Sequence, residues 1–233
     1  MKLEELRNPF GDGSLLLSDE ILEKFHQYAV LLKEWNEKIN LTSIVEEEEV
    51  YVKHIYDSLL PAKQYDLSKG NLIDMGTGAG FPGMVLAILF PELKVTLADS
   101  TQKKFVFLNE VKEQLGLKNV SFHAGRIEEM RTFREHFAFV TARGFSALQN
   151  VLELGMPLLK KGGILIAYKG DKGKEELKDS ERALKILGGQ LMFLQNEDLP
   201  EDGGKRINLF VKKIATTPKR YPREWAEIVK RPL

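Results

Sequence analysis

The segment Asn71-Leu-Ile-Asp-Met-Gly-Thr-Gly-Ala-Gly-Phe-Pro-Gly83 constrains the fold more than any other part of the chain. A short apolar run ends at Asp74, glycines follow at the alternate positions 76, 78 and 80, and Pro82 stands where a helix begins. Proline suits a first helical position, where its missing N–H would have had no partner anyway. Glycines let the backbone bend sharply and come close to a ligand, and a helix start presents unpaired N–H groups. Strand, tight turn and helix in that order open a βαβ unit, and in open α/β sheets ligands sit in the crevice beyond such a strand.

The rest of the chain continues the pattern. Apolar runs over 72–75, 94–98, 120–123, 139–142 and 164–168 read as strands, with two more over 190–194 and 207–212. Helical stretches over 82–90, 102–115, 145–158 and 174–187 lie between them, which predicts a mainly parallel sheet covered on both faces. The last two strands are separated only by a polar, glycine-containing loop (196–205) and should pair as an antiparallel hairpin. The expected class is therefore α/β, a Rossmann-like class I methyltransferase sheet of seven strands with an antiparallel last strand. Before it, Ile21, Leu22, Phe25, Tyr28, Ala29, Leu32 and Trp35 recur at helical spacing behind the cap Ser18-Asp19. A second helix is expected over 47–60, ended by Pro61. Residues 1–66 then form a helical extension, 67–215 the ligand-binding domain, and 216–233 a basic tail.

Composition narrows the function. With no cysteine among 233 residues, disulfides, thiolate-bound metals and thiolate nucleophiles are excluded. Four scattered histidines give no metal site. The longest apolar run, Met84–Phe90, is too short to span a bilayer, and the first residues lack a signal peptide's apolar core, so a cytoplasmic protein is expected. Net charge is zero but unevenly spread: residues 1–60 hold 6 Lys/Arg against 13 Asp/Glu, whereas 201–233 hold 9 against 4. A basic end can serve a phosphate-rich partner, or simply be solvated.

Two ligand readings of the turn compete. Gly78-Ala-Gly-Phe-Pro-Gly83 satisfies G-x-G-x-x-G, and Asp99 lies 19 residues after Gly80, where an acid that holds a ribose belongs. That reading makes the chain an NAD-dependent oxidoreductase. Shifted by two, the residues read Asp74-x-Gly76-x-Gly78-x-Gly80, which suits S-adenosyl-L-methionine, whose cationic amino-acid end can use a carboxylate. Asp99 would take ribose hydroxyls in either case. The early acid and the antiparallel hairpin favour the methyl donor. A turn that only packs helix on strand would not need three alternate glycines.

At this point the sequence resembles a known family. Asn40-Leu-Thr-Ser43, His54-Ile-Tyr-Asp-Ser58, Asp74–Gly83, Asp99-Ser100, Lys103–Leu108, Arg126-Ile-Glu128, Ala142-Arg-Gly-Phe145 and Tyr168-Lys-Gly170 together resemble the RsmG family, also called glucose-inhibited division protein B. Its members methylate N7 of one guanine in small-subunit 16S ribosomal RNA. The resemblance implies donor contacts from Gly76 and Phe81 in the turn, and from Asp99, Ser100 and Thr101 around the ribose. It also implies Ile127 and Glu128 beside the adenine, and Arg143 at the mouth of the pocket.

The absence of cysteine disfavours methylation at a base carbon, and Thr141-Ala-Arg-Gly-Phe145 stands where amino-group methyltransferases carry a Pro-Pro loop. Guanine N7 has an in-plane lone pair and no proton to remove, so no general base is needed and positioning dominates. Arg126, Arg143 and Arg206 are the expected positioning residues. Lys103, Lys104, Lys169, Lys172, Lys174, Lys205, Arg206, Lys219, Arg220 and Arg223 are the expected cationic surface for ribosomal RNA or a small-subunit particle. A monomer without metal is expected. A fold-retaining RNA-binding assembly factor without turnover is the rival of another class.

Overall fold

A computed structural model describes residues 1–233. Its helices are α1 (Asp19–Asn36), α2 (Glu47–Val50), α3 (Asp57–Leu59), α4 (Gly83–Leu89), α5 (Lys104–Gln114), α6 (Leu148–Gly155), α7 (Gly173–Asp179), α8 (Glu181–Leu187) and α9 (Trp225–Lys230). Its strands are β1 (Gly70–Met75), β2 (Leu93–Asp99), β3 (Val120–Ala124), β4 (Phe137–Arg143), β5 (Leu159–Lys169), β6 (Gly189–Asp198) and β7 (Lys205–Lys213). They form one sheet in the order β3-β2-β1-β4-β5-β7-β6. Only β7 runs against its neighbours β5 and β6. The alternation of strand and helix in the sequence thus yields the expected seven-stranded sheet. The order reverses between β1 and β4, so the two chain segments leaving those strands splay apart and open a crevice at their C-terminal ends.

Each face of the sheet carries its own core. On one side Phe25, Tyr28, Leu32, Val50, Ile55 and Leu59 of the N-terminal helices pack with Met84, Val85, Phe107 and Leu108 of α4 and α5. Residues 1–66 therefore share a core with the sheet. On the other side α6 and α8 pack with Tyr221 and Ile228 from the C-terminal segment. That segment is docked: both Arg223 side chain and backbone bond to buried Glu153, and Arg134 donates to the carbonyls of Thr217 and Tyr221. No helix is long and apolar enough to cross a membrane.

Three expected elements differ. The helical path past Glu47 is α only to Val50, widens to a π-helical stretch over Tyr51–Tyr56, and continues through Pro61 as a 3-10 turn, Leu60–Lys63. Proline fits there because it occupies the first turn. The single helix expected over 174–187 is broken at Ser180, whose hydroxyl bonds back to the Glu176 carbonyl. The helix expected from Phe145 begins at Leu148, because Gly144 takes a left-handed φ of 60° and leads Phe145 out into the crevice.

Candidate functional site

Two clefts open along the C-terminal edge of the sheet and meet at Gly144 and Phe145. The first, about 710 Å³, is lined by Gly76 after β1, Asp99–Thr101 after β2, Gly125–Glu129 after β3, Gly144 and Phe145 after β4, and by Lys104 and Trp225. The second, about 800 Å³, is lined by Lys53, His54, Asp57, Arg143, Tyr168, Lys169, Lys172, Glu176 and Arg206, among others. Both are of ligand-binding size.

Asp99 is built into the floor of the first cleft. Its Oδ2 accepts from the N–H of Gly78 and the ammonium of Lys104, and its Oδ1 accepts from the N–H of Thr101. Burial pushes its pKa up, but the bonds from Thr101, Lys104 and Gly78 outweigh that and hold it below the ordinary carboxylate value. With three bonds on about four acceptor positions, it keeps capacity for a ligand hydroxyl. Asp99, Glu128 and Glu129 face Lys104 and Arg126, so carboxylates outnumber cations here.

The second cleft has the opposite sign. Lys53, Arg143, Lys169, Lys172 and Arg206 face only Asp57 and Glu176. Asp57 is 1% exposed, and its oxygens lie 3.0 Å from Arg143 Nη1 and 3.0 Å from Arg206 Nε. Arg143 also donates to the carbonyls of Lys53 and His54 and to Nδ1 of His54. Burial, then the neighbouring Arg143 guanidinium, push the His54 imidazole down to about 3, so it is neutral. Its Nδ1 accepts from Arg143, which leaves Nε2–H to donate to Thr42 Oγ1, 3.0 Å away. The imidazole stacks on Phe81 at 4.4 Å, and Tyr28 stacks on the same ring at 5.0 Å.

The family model described as rRNA small subunit methyltransferase G (GidB) matches residues 21–201. The chain belongs to that family. The ribosomal RNA small subunit methyltransferase G of Staphylococcus aureus (strain bovine RF122 / ET3-1) is 42% identical over 236 residues, covering 100% of this chain and 99% of its own. The protein of the same description from Staphylococcus haemolyticus is 44% identical over 237 residues, covering 99% and 98%. Among solved structures, a SAM-dependent methyltransferase from Aquifex aeolicus superposes with a TM-score of 0.56 at 18% identity, over 78% of this chain and 98% of that one. A 16S rRNA adenine-N1 methyltransferase variant from Catenulisporales acidiphilia gives 0.54 at 16%, over 65% and 88%. At such identities the likeness carries the fold, that of the class I methyltransferases.

As a member of the rRNA small subunit methyltransferase G family, the chain distributes the expected residues unevenly. Gly76, Asp99, Ser100, Thr101, Arg126, Ile127 and Glu128 come together in the first cleft. Asp74 does not reach it. Its carboxylate is sealed under the turn, accepting from Thr77 Oγ1, Gly83 N–H and Thr141 Oγ1. Burial pushes its pKa up to about 6 against the pull of those bonds. Gly78 and Gly80 shape the turn without lining the cleft, and Phe81 is core, wedged against Tyr28 and His54. Arg143, expected at the donor's mouth, lines the second cleft with Arg206. Of the expected cationic surface, Lys104 instead pairs with Asp99, and Arg223 is tied to Glu153. Sequence reasoning missed Asp57, whose signal lay in His54-Ile-Tyr-Asp-Ser58, and Trp225, for which the sequence offered none.

Proposed function

We propose that the chain transfers a methyl group from S-adenosyl-L-methionine, bound in the first cleft, to N7 of a guanine of small-subunit 16S ribosomal RNA, presented in the second. The observation that carries this reading is the opposite charge of two clefts that share the wall Gly144–Phe145. A carboxylate-rich cleft favours a donor with a sulfonium and an ammonium, and opposes the pyrophosphate of a dinucleotide. A cleft of guanidinium and ammonium groups favours the phosphates flanking a base. The donor supplies an electrophilic methyl carbon. Asp99 would hold its ribose, and Ile127 and Glu128 would lie beside its adenine.

No general base stands free in the second cleft. His54 is neutral with Nδ1 already bonded, both oxygens of Asp57 are held by arginines, and Glu176 is paired with Lys169 and accepts the Leu148 N–H. That suits N7, which loses no proton when it attacks. The work left to the protein is to align N7 with the methyl carbon and exclude water. Arg143 and Arg206, locked by Asp57, would hold phosphate or the guanine O6 edge. The test is transfer of labelled methyl groups to small-subunit ribosomal RNA, with the product mapped by mass spectrometry. N7-methylguanosine at one site supports the reading. No transfer to free RNA, subunit precursors or mature particles overturns it.

A further inference from the structure

The C-terminal segment contributes a wall to the donor cleft. Of the thirteen residues lining that cleft, three are hydrophobic: Ile127, Phe145 and Trp225. The first two leave the sheet edge after β3 and β4. Trp225 comes from α9, beyond the residues 21–201 that the family model matches. Its ring centroid lies 6.0 Å from that of Phe145 at an angle of 51°. Phe145 in turn lies so close over Gly76 that a Cβ there would collide with it. Gly76, Phe145 and Trp225 are thus three consecutive layers, running from the glycine turn to the C-terminal helix.

That placement is fixed by deep anchors. Glu153 is 1% exposed and receives Arg223 through Nε at 2.8 Å, Nη2 at 2.6 Å and the backbone N–H at 3.0 Å. Thr217 is buried and donates to the Leu187 carbonyl, and Ile228 is fully buried one turn after Trp225. A solvated tail would need none of these. The anchors flank Trp225 on both sides, yet its own indole is only half-buried and faces the cleft. Large aromatic surface left facing a cleft is apolar area available to a ligand.

Resting on the reading of the first cleft as the donor site, we propose that Trp225 contacts bound S-adenosyl-L-methionine, so that docking of 216–233 and donor binding stabilise each other. The chain has two tryptophans, so Trp35→Phe leaves Trp225 as its only indole emitter. Titrating that variant with S-adenosylhomocysteine should shift or quench its emission along the same curve that calorimetry gives. In the otherwise unaltered chain, Trp225→Ala should weaken S-adenosylhomocysteine binding about tenfold, a loss in the range expected of one aromatic contact, and Trp225→Phe should restore most of it. Amide hydrogen exchange over 225–230 should slow when the nucleoside binds. If the unaltered chain binds S-adenosylhomocysteine but Trp225→Ala binds it equally and the emission is unmoved, this inference is overturned and the donor-site reading stands. If the unaltered chain binds none, the donor-site reading itself has failed.

Discussion

Asp57 holds two guanidinium groups that arrive from strands at opposite sides of the second cleft, Arg143 at the end of β4 and Arg206 near the start of β7. Arginine suits this because its planar fork uses two nitrogens, Nη1 towards the Asp57 carboxylate and the Lys53 and His54 carbonyls and Nη2 towards His54 Nδ1, a spread that the single nitrogen of an ammonium does not offer. Arg143→Ala should lower methyl transfer by about 10²-fold, the scale of a misplaced reactant. S-adenosylhomocysteine affinity, measured by calorimetry, should change little, since Arg143 lines the second cleft and not the first. Arg143→Lys keeps the charge without the fork and should recover only part of the rate. A donor affinity that fell in step with transfer would place Arg143 at the wrong ligand. The three residues of this triad are 86 and 149 positions apart in the chain. Nothing in local pattern links them: the stretch His54-Ile-Tyr-Asp-Ser58 sets Asp57 in a family-like motif but points to neither of its arginine partners. The place of Asp99 in the first cleft was legible for the opposite reason: it follows from one strand end and one spacing.

The glycine turn and the N-terminal helices form a single mechanical unit. Tyr28 of α1 donates its hydroxyl to the Ala79 carbonyl, and a Cβ on Gly80 would run into that hydroxyl and into Leu108. Gly80 also has φ +99°, a conformation that costs other residues about 1–3 kcal/mol. Gly80→Ala should therefore lose both stability and donor affinity, and Tyr28→Phe in the same chain should return only part, because Leu108 and the backbone strain remain. Paired urea unfolding and calorimetric titrations would show this, and full recovery would mean that the hydroxyl alone dictates the glycine. Beneath the turn, Asp74 gives stability below about 3.8 and loses it as pH rises through about 6. His54 works the other way, since its stability is present above about 6.5 and is lost as pH falls towards about 3. Asp74→Asn can still accept from Gly83 N–H, and it removes only the first effect. Relative to the unaltered chain, it should gain about 1.4 kcal/mol per pH unit between pH ~4 and ~6. A flat difference would mean that Asp74 titrates at its ordinary value. The glycines announced the turn in the sequence, but Asp74's inward aim did not show there. A strand-end acid reads the same whether it faces a ligand or its own hairpin of N–H and hydroxyl donors. The break at Ser180 was hidden likewise, since helical spacing runs straight through it.

Across the whole molecule, zero net charge conceals a difference in charge between the two clefts. The acidic surplus of residues 1–60 lies in helices that back the sheet, and the cationic side chains gather where β4, β5 and β7 end or begin. Charge totals by segment foreshadowed that asymmetry, but they placed it in a free C-terminal tail. Packing relocated it, because Arg223 and Arg134 spend their donors on Glu153 and on carbonyls inside the docked segment. Salt should therefore separate the two ligands. Each phosphate held by a cation releases counterions, so RNA affinity should fall steeply between about 50 and 200 mM salt. Donor affinity should hardly move, since the donor brings no phosphate and its partners are partly buried carboxylates and N–H groups. Lys172 makes the sharpest probe: it is exposed, lines the second cleft and has no carboxylate within ion-pair distance, unlike Lys53 and Lys169. Lys172→Ala should reduce the slope of log affinity against log salt by about 0.7–0.9 and leave S-adenosylhomocysteine binding unchanged. An unchanged RNA slope would mean that RNA approaches the sheet edge from another side, and Lys219 and Arg220 beside Tyr221 would then be the first positions to replace.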